Sequence, residues 1–125
     1  MKAVDAAGTL KLETLDEALA HVQRIHAIVE RMAVSVRAQQ DTSAVSAQLR
    51  RTAAPLVGLL KPQFGLIADQ VSSLLLASTR GGGDQARLRT MREGVAQLRL
   101  QIEIAGNRVR DRHAIASEQP ARAES

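Results

Sequence analysis

Residues 55–77 read PLVGLLKPQFGLIADQVSSLLLA, and their apolar side chains point in nearly every direction a helix offers. Leu56, Val57, Leu59, Leu60, Phe64, Leu66, Ile67, Val71, Leu74, Leu75 and Leu76 do not fit on one narrow stripe. A helix that is hydrophobic all round has to be covered all round. The flanking segments each show a single apolar face, so they, or a second copy of the chain, are the expected cover. Pro55 and Pro62 interrupt the segment, because proline lacks the N–H that a helix interior uses and clashes with the preceding turn. Residues 43–79 are therefore expected to form one long helix kinked at Pro55 and Pro62. In the alternative the chain turns near Gly58–Pro62, Pro62 opens a new helix, and the bundle has four helices.

On the N-terminal side, Thr14-Leu15-Asp16-Glu17 has the form of a capping box, in which a threonine caps backbone N–H groups and a glutamate reaches back. The first helix is expected to start there, with residues 1–13 as a flexible arm. Thr9 to Glu13 alternates like an extended lead-in. From Leu15 the apolar positions run Leu19, Val22, His26, Val29, Ala33 and Val36, the alternating four and three spacing of a coiled-coil seam. Ile25, Ile28 and Met32 widen that face. The helix should reach Gln39 or Gln40. Asp41-Thr42-Ser43 is a short turn with several capping residues, which sends the next helix back antiparallel.

On the C-terminal side, Arg80-Gly81-Gly82-Gly83-Asp84 is a break, with Asp84 expected to cap the last helix. The seam of that helix is Leu88, Met91, Val95, Leu98, Ile102, Ala105 and Val109, and Leu100 and Ile104 form a second strip beside it. It should end near Ala116, leaving residues 117–125 as a disordered polar tail. The expected architecture is all-α: an antiparallel bundle of three long helices over residues 14–116, with coiled-coil-like contacts.

At 125 residues the chain is one domain. Phe64 is its only aromatic residue and it has no cysteine, which excludes disulfides, thiol chemistry and Cys-ligated zinc. The N-terminus lacks the apolar core of a secretory signal. The central apolar run is broken by Lys61, Gln63, Asp69 and Gln70, short of the ~20 clean residues a membrane span needs. A soluble, cytoplasmic protein is the expectation.

No constellation points to chemistry. His21 and His26 are five apart, whereas helical metal pairs want three or four. His26 reads as a partly buried residue that fixes helix register. The glycine turn resembles a phosphate cradle, but Asp84 follows where a P-loop needs Lys and Ser/Thr. Serines and threonines lack an adjacent base and acid. Neither metal, cofactor nor catalysis is expected. The net charge is +4, and Arg87, Arg89, Arg92, Arg99, Arg108 and Arg110 line the last helix. They suit phosphate backbone or an acidic protein, though no aromatic side chain interleaves them for base stacking.

The expected function is that of a non-enzymatic scaffold or adaptor acting by helix-to-helix contact. A homodimer is expected, with Leu60, Phe64, Leu66, Ile67 and Leu76 at the interface, since a three-helix monomer leaves the central helix uncovered. The alternative is a small basic protein that binds nucleic-acid backbone through the last helix. A third reading has the opened central helix coat a lipid surface.

Overall fold

The computed structural model describes residues 3–80 and 82–115. Four helices follow one another: α1 (Ala6–Arg37), α2 (Ser43–Leu60), α3 (Gly65–Ala77) and α4 (Asp84–Arg112). Each packs on two neighbours, α1 on α2 and α4, α3 on α2 and α4, so the helices form a ring without diagonal contacts. Neighbours are antiparallel. Gln48 of α2 bonds Arg31 of α1, Leu74 of α3 lies against Gly94 of α4, and Arg92 of α4 reaches Glu30 of α1.

The all-α antiparallel bundle stands, but with four helices instead of three. The segment 55–77 folds as a hairpin, not a bent rod. Pro62 has no N–H to continue the helix, and the N–H groups of Gln63 and Phe64 both turn to the Leu60 carbonyl. α3 starts at Gly65, so Pro62 lies in the turn and does not open the helix. Pro55 stays inside α2 without ending it. It is exposed, so the carbonyl it leaves without a partner faces water. The hairpin also meets the demand for cover on its inner faces. Leu56 and Leu60 face the centre from α2, and Ile67, Val71 and Leu74 face it from α3, all buried.

The seam of α4 lies where the spacing puts it: Leu88, Met91, Val95, Leu98, Ile102 and Val109 are buried, and Ala105 packs against them. The face of α1 is centred on Leu15, Ala18, Val22, Ile25, Val29 and Met32, with Leu19, His26 and Val36 on its half-buried flank. That face is rotated from the expected seam toward Ile25 and Met32.

Residues 6–13, expected to be part of a flexible arm, are helical. α1 begins at Ala6, where Asp5 caps it by accepting the Gly8 N–H at 2.7 Å. Thr14 is interior, its hydroxyl donating to the Leu10 carbonyl. The helix ends at Arg37, before the expected Gln39, in a Schellman arrangement. Gln39 takes φ 58°, its N–H reaches Val36, and the Gln40 N–H reaches Ser35. At the start of α4 the cap position is held by Gly83, and Asp84 is the first helical residue, paired with Arg87. α4 ends at Arg112, short of the expected Ala116, because the chain turns at His113 and Ala114 pairs with Val4; the expected tail 117–125 lies outside the described residues.

Candidate functional site

Three surface features stand out once the core is assigned. The first is a clasp that joins the two ends of the described chain. Val4 bridges Ala114, the Asp5 N–H donates to the His113 carbonyl at 2.9 Å, and the Ile115 N–H donates to Ala3 at 3.0 Å. Beside them the His113 ring sits between Asp5 Oδ1 (2.9 Å) and Lys11 Nζ (3.1 Å). A lysine ammonium only donates and a carboxylate only accepts. The ring in this arrangement therefore carries its hydrogen on Nδ1 and accepts at Nε2. The Asp5 carboxyl is held below the usual carboxylate range, first by the Gly8 N–H and then by His113. Gly8 is required for the closeness: a Cβ there would stand 2.5 Å from the His113 Cβ.

The second feature is a cleft of about 270 Å³ where the start of α3 meets the C-terminal half of α4. Phe64, Leu66, Ile67, Ile104, Ala105 and Val109 give it apolar walls. Lys11, Arg108 and Arg112 add cations, and Gln63 and Gln101 are its uncharged polar groups. Among the described residues no carboxylate lines it.

The third is the outer side of α3 and α4. Leu66 is 83% exposed, Leu76 61% and Leu100 46%. Leu66 shares the cleft with Ile104, one turn from Leu100. Between the two helices lies a shallow hollow lined by Ser73, Leu74, Ala77, Thr90 and Gly94. The five residues expected at a dimer interface thus separate. Leu60 and Ile67 are buried in the chain's own core, Phe64 is half-buried against it, and Leu66 and Leu76 face outward.

The arginines also separate. Arg87 is spent inside the chain, donating to the carbonyls of Arg80 and Gly82 and pairing with Asp84. It fastens the turn in which Gly82 takes φ 109°, a backbone state glycine adopts freely. Arg92 grips Glu30 with two bonds, of 2.8 and 3.0 Å, which hold the Glu30 carboxyl below its usual range. Arg110 donates to Asn107. Arg89, Arg99, Arg108 and Arg112 have no hydrogen-bond or ion-pair partner among the described residues. Arg99 and Arg110 border a hollow against α1, whereas Arg108 faces the α3 cleft.

Among the described residues, no three His, Asp or Glu side chains come together as a metal site would require. His21 and His26 lie half-buried on α1, and the His21 ring meets Arg24 at 3.0 Å. Among the described residues no helix is long and apolar enough to cross a membrane. No family model, curated protein or solved structure matches this chain.

The clasp and the cleft were not legible in the sequence. Asp5 and His113 are 108 residues apart, and nothing in the local pattern of either signals the other. The one available hint was Gly8 near the start of a helix-forming stretch, where a small residue marks close approach.

Proposed function

We propose that this protein is a non-enzymatic helical scaffold or adaptor that packs the outer side of α3 and α4 against another helical surface, most simply a second copy. The observation that carries the reading is the exposure of Leu66, Leu76 and Leu100 on two adjacent helices. Leu66 and Leu76 are ten residues apart, within about 80° of each other around the helix axis. Burying such side chains on a partner is favourable at roughly 25 cal/mol per Å² of apolar surface. The patch is small, because the hairpin covers its own inner faces. It fits a weak or transient contact at the low end of interface sizes.

Light scattering behind a sizing column, run from micromolar to millimolar protein, tests this. The expected result is a mass rising toward the dimer, indifferent to salt, and held at the monomer by Leu66→Glu with Leu76→Glu. A monomer throughout the range, or a dimer that the double variant leaves intact, overturns it.

A second reading is nucleic-acid backbone binding through α4. Its support is that Arg89, Arg99 and Arg108 have no partner among the described residues. Against it, Arg87 and Arg92 are already occupied within the chain. Duplex DNA added to the same column separates the two, because backbone binding must weaken steeply with ionic strength.

A further inference from the structure

We propose that the cleft at the start of α3 is a binding site for a small amphiphilic carboxylate, a short alkyl chain ending in an anionic head. Four features of the site agree on this class. Its walls are apolar along one side, from Phe64, Leu66 and Ile67 across to Ile104. Lys11, Arg108 and Arg112 give it three cations, and among the described residues no carboxylate in the lining neutralises them. Arg108 and Arg112 stand four apart on one helix, a like-charge spacing that costs stability unless an anion sits nearby. α3 points its N-terminus at the same place, with neither a side-chain cap nor an acidic residue in its first turn. The Gly65 and Leu66 N–H groups thus add to the positive potential.

The dimensions also select. At about 270 Å³ the cleft lies at the small end of ligand sites, so it suits a single short chain and not a two-chain lipid. Arginine offers the carboxylate a two-pronged donor, and charged hydrogen bonds of this kind are the strong ones. Lys11 is kept at the rim by its bond to His113, so the clasp prearranges one wall of the site. The cleft shares Leu66 with the exposed leucine patch, but Arg108, Arg112 and Lys11 lie outside that patch, so the arginine variants read the site separately from self-association.

The test is an amide NMR titration of the whole chain with octanoate, alongside octan-1-ol (tail without charge) and propionate (head without tail). Octanoate should shift the amides of Gly65–Ile67 and Arg108–Arg112 in a saturable way, with the other two at least about fivefold weaker. Arg108→Gln with Arg112→Gln should weaken octanoate about tenfold and leave octan-1-ol unchanged. Leu66→Ser, at an exposed position that the fold tolerates, should weaken octanoate and leave propionate unchanged. Octan-1-ol binding as well as octanoate, shifts scattered over the surface, or an arginine variant that binds normally would each overturn the site. Sedimentation with phosphatidylglycerol vesicles, without any response to octanoate, would overturn it in favour of a membrane surface.

Discussion

Between Leu15 and Ala33, α1 is held by packing: its inner side chains meet α2 and α4 in a core that α3 closes on the far side. At its start, and in residues 3–5 that lead into it, the same helix is held by polar contacts, a backbone bridge and the Asp5–His113–Lys11 row. The first region is insensitive to any one hydrogen bond and sensitive to lost volume. The second buries little apolar surface, Leu10 being exposed and Leu12 half-buried, so it depends on a few donors and acceptors. One domain thus carries a cooperative core and a separately adjustable end.

Substitutions can break that contrast, and the largest effect belongs to the core. Leu56 is fully buried, and Leu56→Ala should cost about 2–5 kcal/mol by urea unfolding. That is a large part of the ~5–15 kcal/mol typical of a whole domain. A cost below about 1 kcal/mol would mean that the hairpin does not seal the core as described.

Gln39 pulls the other way. It holds a left-handed backbone at the turn that launches the hairpin, where a non-glycine residue is disfavoured. Gln39→Gly should stabilise by about 0.5–1 kcal/mol in the same assay.

At the clasp, Asp5→Ala removes the α1 cap and the partner of His113, and should lower the melting temperature by a few degrees. The pH dependence has a fixed sign. Because folding holds the Asp5 carboxyl below its ordinary 3.8, its stabilisation is present above about pH 4 and lost as the pH falls through the folded value. Asp5→Asn should abolish that part of the acid response. Gly8→Ala sharpens the contrast between regions. The added methyl meets His113 and opens the clasp, while alanine's better helix propensity, ~1 kcal/mol, offsets the loss. Global stability should barely move, yet hydrogen exchange at the Asp5 and Ile115 amides should speed up. Unchanged exchange there would show that the ends are not tied by these bonds.

The smallest effect is expected at the exposed Glu30–Arg92 pair. A double-mutant cycle with Glu30→Gln and Arg92→Gln should show a coupling of about a degree in melting temperature, fading with salt.

Much of the core was legible because helical period is a local property. The α4 spacing from Leu88 to Val109 named its buried side, and the break at Arg80–Asp84 fell in the right place. The N-terminal start was misjudged because Thr14–Glu17 has the form of a cap whether or not a helix begins there. The true cap, Asp5, is favoured by contacts with residues at the other end of the chain. Two of the five residues expected at an interface are interior for a related reason, while Leu66 and Leu76 stay exposed. Leu60 and Ile67 look available on a bent rod and are interior in a hairpin.

By itself the sequence determined the helices of this protein and most of the side each one buries, because both follow from the order of apolar and polar residues within a few turns. It left open whether Pro62 marks a bend or a reversal. The tertiary structure decided that, since only a reversal lets α2 pack on α1 and α3 on α4 while the two pack on each other and shield Leu56, Leu60, Ile67, Val71 and Leu74. It also decided the clasp and the cationic cleft, which join residues about a hundred positions apart and leave no period in the sequence to read.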